Sequence, residues 1–250
     1  MTATLAQIWR HPIKAHGFEA LERSAIRAGE TMPWDRVWAV RHDASKAEGG
    51  AWARCANFSR GAKAPHLMAI KAALDTDTET LTLSHPELID LSFRPDDPAD
   101  VDRFIDWIGP LMPKDRAAST DIVRVTEQGM TDTPFPSVSI GNLATLRVLE
   151  QQAGQPLDVR RFRINLWVEG LAPFEEFEWL GKELRVGGVA FKVEDRLTRC
   201  TSTMANPETG RRDADPLAVM DEHWGHHDFG MALIAKDEGE VALGDKVAPA

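Results

Sequence analysis

The chain has 250 residues, 43% of them hydrophobic, with 29 lysines and arginines against 39 aspartates and glutamates, for a formal net charge of -10. That length and apolar content suffice for a sizeable core without staples, and the acidic balance argues against a protein that grips nucleic acid through a basic surface. The two cysteines, Cys55 and Cys200, lie far apart and form no CxxC or Cys/His grid, so no disulfide framework, structural zinc site or iron–sulfur cluster held by this chain alone is expected.

The first ten residues lack a basic segment followed by an apolar run, and nowhere do about 18 apolar residues run together, so a cytoplasmic protein without membrane association is expected. Residues 4 to 10 alternate apolar and polar, 18 to 23 do so less cleanly, and 37 to 42 form a more continuous apolar run; all three read as strands. Further strands are expected at 67 to 72, 79 to 84 and 88 to 93, with Asp75 to Thr78 as a turn between the first two. Val101, Phe104, Ile105 and Ile108 recur at helical spacing behind an acidic first turn and before Gly109, which predicts a helix. A second helix should run from an Asn142 cap to a stop at Gly154. Strands then return at 163 to 169, 184 to 186, 189 to 195, 229 to 235 and 240 to 247, with a short helix over 215 to 223 that has Pro216 at its first position. The proline-rich, polar stretch from Pro110 to Pro136 reads as the connection between two β-rich halves.

Cys200 is the leading functional candidate. It stands among hydroxyls and arginines in Arg199-Cys-Thr-Ser-Thr203, and nearby cations favour a thiolate, which is both a nucleophile and a soft-metal ligand. Arg160, Arg161 and Arg163 form a basic island suited to one small anion, or to ion pairs with Glu169, Glu175 or Glu176. If residue 163 lies on a strand, Arg161 and Arg163 share a face. His223, His226 and His227 invite a zinc reading, although Gly225 interrupts a continuous helix there; alternatively one of them relays protons. Cys55 reads as a small buried hydrophobe. No phosphate-binding glycine loop, nucleophile elbow or HExxH pattern occurs.

Several motifs together resemble MOSC domain proteins (molybdenum cofactor sulfurase C-terminal domain) with their N-terminal β-barrel domain. They are Ile8-Trp-Arg-His-Pro-Ile-Lys14 with Gly17, Asp35-Arg-Val-Trp-Ala-Val40, Arg161-Phe-Arg-Ile-Asn-Leu166, Pro173-Phe-Glu-Glu176, Arg199-Cys200 with Asn206-Pro-Glu-Thr-Gly210, and Asp228-Phe-Gly230 with Leu243-Gly-Asp-Lys-Val247. The resemblance implies a mainly β fold with α insertions (α+β): an N-terminal β-barrel-like domain over 1–115 packed on a C-terminal MOSC β-barrel over 116–250. It also implies a molybdenum cofactor of the molybdopterin type, with Cys200 as catalytic residue and molybdenum ligand and Lys14, Arg36, Arg163 and Asn165 contacting the cofactor. The implied activity resembles that of bacterial relatives of the mitochondrial amidoxime reducing component: reduction of small N-hydroxylated compounds with electrons from a separate donor protein or reductase. Pyridoxal phosphate binding is not expected. Ala15, where such reductases often carry serine, removes one hydroxyl from the implied phosphate cradle, and Leu197-Thr198 replaces the family's frequent Pro-Cys. A second reading keeps the same thiol without a redox cycle, as a sulfur or cofactor carrier using a Cys200 persulfide. A third is a zinc hydrolase built on the histidine cluster.

Overall fold

The computed structural model describes residues 3–125 and 128–250. In chain order its strands are β1 (Ala3–Arg10), β2 (Glu19–Leu21), β3 (Arg23–Ile26), β4 (Trp38–His42), β5 (Lys71–Asp75), β6 (Thr80–His85) and β7 (Leu88–Phe93). After helix α1 (Pro98–Ile108) come β8 (Ser119–Arg124) and β9 (Val138–Asn142), then α2 (Leu143–Ala153), β10 (Leu166–Glu169), β11 (Glu183–Val186) and β12 (Val189–Thr198). Helix α3 (Pro216–Trp224) precedes β13 (Asp228–Ala235), β14 (Gly239–Ala242) and β15 (Lys246–Pro249).

Seven strands close into a barrel in the order β10-β9-β13-β12-β11-β15-β1, and β1 returns to β10; β2 hangs on β1 outside the ring. Closure removes the exposed edges that an open sheet would present. Period-two alternation fills the interior: in β11, Leu184 and Val186 are buried while Glu183 and Arg185 face out. Leu5, Ile8, Ile140, Leu166, Phe191, Val193, Met231 and Leu233 complete the barrel core. A second core lies between the pair β4–β8, the hairpins β5-β6-β7 and α1, around Ile13, Trp38, Leu83, Phe93 and Phe104. The N-terminal chain serves both bodies, since β1 lies in the barrel wall while Ile13 and the β4 residues Trp38 and Val40 belong to the second core.

The helices form where local chemistry dictates. Asp97 caps α1 by accepting from the Ala99 amide, Pro98 fills the first turn, and Val101, Phe104 and Ile108 are buried on one face. Asn142 caps α2 through the Ala144 amide, and Gly154 ends it in the left-handed conformation. Asp215 and Gly225 do the same for α3.

Four expectations need correction. The apolar run at 67–72 is not a strand throughout: Pro65 opens a 3₁₀ turn over Pro65–Ala69, and the strand begins at Lys71. The strand expected from residue 163 begins at Leu166, because Val159–Phe162 is a 3₁₀ turn and Arg163 takes φ 49°. The run 240–247 is two strands separated by a turn at Gly244, φ 88°. The supposed connection 110–136 contains β8, whose polar Ser-Thr-Asp start conceals its pairing with β4.

Candidate functional site

A cavity of about 310 Å³ lies beside the turn that follows β12, and Lys14, Arg36, Arg163 and Cys200 all line it. These residues come from segments remote in sequence. Antiparallel pairing of β1 with β10 and the bridge from Ile13 to Trp38 draw the segments carrying residues 14, 36 and 163 together. Ala15, Arg36 and Arg163 have φ values of 63°, 54° and 49°. Left-handed backbone at non-glycine residues costs roughly 1–3 kcal/mol each and persists where the surroundings over-determine it. Here three such residues sit on one cavity wall.

The cations are held rigidly. Arg163 donates to the carbonyls of Gly17 (3.1 Å) and Ile13 (3.2 Å), and Arg36 donates to the Arg163 carbonyl (2.6 Å) and to Asp35. Lys14 Nζ donates to Met130 O (2.7 Å) and Asp132 Oδ1 (2.6 Å). Arg199 is pinned by Phe162 O (2.9 Å) and Phe229 O (2.8 Å). Among the described residues no carboxylate pairs with Arg163 or Arg199. Burial lowers both guanidinium pKa values, to about 9 for Arg163, with Arg36 adding repulsion, and to about 10 for Arg199. Both therefore remain charged at neutral pH and form a preorganised cationic wall that favours an anion. Partial desolvation opposes ionisation of Asp132, but Lys14 outweighs it and holds the carboxyl below its usual range.

Arg36 is oriented by a buried unit. Asp35 accepts from the His11 amide (2.8 Å), contacts His11 Nδ1 (3.3 Å) and pairs with Arg36. Burial and the nearby Arg163 and Arg36 push His11 down to about 3; burial pushes His16 to about 4, against the bond of its Nδ1 with Lys14 O (2.7 Å). A folded-state value below the unfolded one means that the unfolded chain takes up the extra proton as pH falls. Stability from these neutral imidazoles is thus fully present above about 6.5 and is lost downward, until about pH 4 for His16. Each should contribute up to about 1.4 kcal/mol per pH unit in that window. Denaturant unfolding between pH 7 and 5 should show this slope, and His16→Asn should remove about one proton's worth of it; an unchanged slope would refute the assignment.

Cys200 is exposed, and its Sγ shares a 3.1 Å hydrogen bond with the Ser202 hydroxyl. Gly230, φ 78°, makes room for the neighbouring arginine: a Cβ there would lie 2.6 Å from Ile140 O and 3.3 Å from Arg199 Nη2. This gives the Asp228-Phe-Gly230 motif a physical reason, since Phe229 supplies the carbonyl that holds Arg199.

Other expected residues are placed differently. Asn165 is buried and is not among the residues lining the cavity; its Oδ1 accepts from Ser139 N (3.1 Å) and Oγ (2.7 Å), and its Nδ2 donates to Trp9 O (3.1 Å). Arg161 does not share a strand face with Arg163; it pairs with Asp213 (2.6 Å), while Arg160 pairs with Asp158 and Glu208. Glu169 pairs instead with Arg147, and Glu176 is buried against Asn142 and Thr145. None of His223, His226 and His227 lines the cavity; the His226 ring packs against Phe177 and its Nδ1 accepts from the Asp228 amide. Among the described residues no group of three or more His, Cys, Asp or Glu side chains is placed to hold a metal ion. Cys55, Arg60 and Asp132 also line the cavity, though no motif in the sequence marked them, and Arg199, expected only as a cation beside Cys200, is a lining residue in its own right. Adjacency to Cys200 could have singled out Arg199, whereas the other three enter through tertiary packing alone.

A MOSC domain profile matches residues 131–248, and a MOSC N-terminal beta barrel domain profile matches residues 2–107. The chain belongs to the MOSC family, as a MOSC domain preceded by that N-terminal domain. It is 40% identical over 81 residues to the molybdenum cofactor sulfurase of Drosophila grimshawi, covering 32% of this chain and 10% of that protein. Over 94 residues it is 37% identical to the molybdenum cofactor sulfurase of Anopheles gambiae, covering 36% of this chain and 12% of that protein. The YuaD protein from Bacillus subtilis aligns over 99% of this chain and 94% of that one, at 13% identity and a TM-score of 0.47. No helix among the described residues is long and apolar enough to cross a membrane.

Proposed function

We propose that the protein binds a molybdenum cofactor in this cavity and reduces small N-hydroxylated compounds in the cytoplasm. The observation that supports this reading is the meeting of an exposed cysteine with Lys14, Arg36 and Arg163 on one cavity. The residues present fit the group: a dithiolene-bound metal suits a thiolate ligand, and a dianionic pterin phosphate suits converging fixed cations, of which Arg163 has no carboxylate partner among the described residues while Lys14 and Arg36 are paired with Asp132 and Asp35. A volume of about 310 Å³ also falls within the usual range for cofactor sites.

When bound, the cofactor supplies the two-electron, oxygen-accepting chemistry that no side chain of this chain has. The remaining work belongs to the protein. Arg163 and Arg36, held on backbone carbonyls, fix positive charge for the phosphate end, and Lys14 keeps one ammonium hydrogen beyond the two it donates to Met130 and Asp132. Asn165 acts from outside the cavity by tying the Arg163 segment to β1 through Trp9 O. Cys200 provides the soft ligand, and a thiolate there requires the Ser202 hydroxyl to donate to sulfur. The overall conversion takes N–OH, two electrons and two protons to N–H and water. Asp132, held ionised by Lys14, can accept but not supply a proton at neutral pH. With two cysteines in the chain, the electrons come from a separate donor protein or reductase.

Protein made in a host competent for cofactor synthesis should contain molybdenum and pterin near one per chain, and the metal should be lost in Cys200→Ala. Absence of both from the wild-type protein would sink the reading. The exposure of Cys200 and the sulfurase relatives favour a second reading, a sulfur or cofactor carrier. Intact-mass analysis showing one added sulfur at Cys200, without metal, would select it.

A further inference from the structure

Arg60 differs from the other cations that line the cavity. Lys14 is paired with Asp132, Arg36 with Asp35 and Arg161 with Asp213. Arg163 and Arg199 are fixed on backbone carbonyls. Arg60 is half-buried, and among the described residues its side chain makes one hydrogen bond, from Nη1 to Cys55 Sγ at 3.2 Å. Sulfur is a weak acceptor, so a guanidinium with five N–H donors keeps most of its capacity and its whole charge.

Its place in the cavity is equally specific. Lys14, Arg36 and Arg163 are bound to one another's surroundings at residues 13 to 17 and 130 to 132. The segment 60–62 instead leans on the chain just after Cys200: a Cβ on Gly61 would lie 3.3 Å from Ser202 Cβ, and Ala62 O accepts from Arg212 Nη2 at 2.8 Å. The segment that follows Arg60 therefore packs on the turn after Cys200, and Arg60 and Cys200 line the same cavity.

We propose that Arg60 is a specificity-determining residue that selects substrates carrying a carboxylate on the same molecule as the reducible N–O group. This rests on the N-reductase reading for what is reduced, but not for what is bound. A planar guanidinium with free donors takes a carboxylate in two parallel hydrogen bonds, a geometry that lysine cannot reproduce. The carboxylate spends no electrons; it only fixes which molecule lies beside Cys200.

The test uses the holoenzyme and two probes, a neutral aryl amidoxime and its para-carboxylate analogue, with binding measured by calorimetry and turnover measured separately. Wild type should bind the carboxylate analogue at least tenfold more tightly than the neutral probe. Arg60→Gln should erase that preference and raise KM for the anionic probe about tenfold with kcat unchanged, while leaving the neutral probe's Kd within twofold. Arg60→Lys should recover only part of the preference. Equal binding of the two probes by wild type, binding of neither, or a preference that survives in Arg60→Gln would overturn the proposal. A preference that vanishes in Arg60→Gln without turnover of either probe would uphold anion selection and refute the reductase reading instead.

Discussion

Under the proposed function, replacing Cys200 by serine should leave the fold intact and remove N-reductase turnover. The side chain is exposed and makes one hydrogen bond, to Ser202, which a serine hydroxyl can also make, so stability should change by no more than about 0.5 kcal/mol. A serine oxygen stays protonated at neutral pH and is a hard donor, so the soft ligand is lost. Outer-shell substitutions around metal ligands already cost roughly 10- to 100-fold; loss of the ligand itself should exceed about 100-fold in kcat. The cationic wall is untouched by this change, so pterin occupancy should fall less than activity. Steady-state turnover with a chemical or protein reductant, read beside pterin content, separates the two effects. Full turnover by Cys200→Ser would refute the ligand role.

The contrast between that thiol and its surroundings also explains what the sequence could reveal. Helix ends were legible because their causes are local: Asn142 and Gly154 each act within a few residues of the turn they stop or start. Strands with clear alternation, such as β6 and β11, were legible for the same reason. Strand β9 was not, because Val-Ser-Ile-Gly-Asn is buried on both faces and mixes polar with apolar residues; Gly141 is there because a Cβ would meet Ile164 at 2.8 Å and the Trp167 ring at 3.2 Å. At the site, Cys200 could be singled out from its polar neighbours and Lys14, Arg36 and Arg163 from motif resemblance, but their convergence depends on pairings between residues more than a hundred positions apart. Asp132 and Arg60 had no local signature, since an acid after a polar loop and an arginine before a glycine are ordinary surface patterns. Asn165 shows the reverse: a motif position can mark a strut as readily as a contact.

Asp35→Ala should be the most destabilising single change near the site. Asp35 is fully buried, and its carboxylate answers three groups at once: the His11 amide, the His11 ring and the Arg36 guanidinium. Burial alone would raise its pKa, but Arg36 and the bonds to His11 hold the carboxyl well below the usual carboxylate range. The folded value lies below the unfolded one, so this contribution is fully present above the ordinary carboxylate range and is lost progressively as pH falls from that range toward the much lower folded value. Removing one partner of a buried ion pair leaves the other charge uncompensated, at a cost of about 3–5 kcal/mol. For a chain of this size each kcal/mol moves the melting temperature by roughly 2–4 °C, so a fall on the order of 10 °C is expected at neutral pH. Asp35→Asn keeps an acceptor for the His11 amide and removes only the charge, so it should cost less. Arg36 also donates to the Arg163 carbonyl, and a guanidinium released from Asp35 would no longer hold the left-handed turn at Arg163 in place. If the cavity holds the cofactor as proposed, both variants should therefore lose pterin occupancy beyond what their stability loss explains, measured well below their melting temperatures. Full occupancy in a destabilised Asp35→Asn protein would show that the buried pair supports the barrel alone and has no part in shaping the cationic wall.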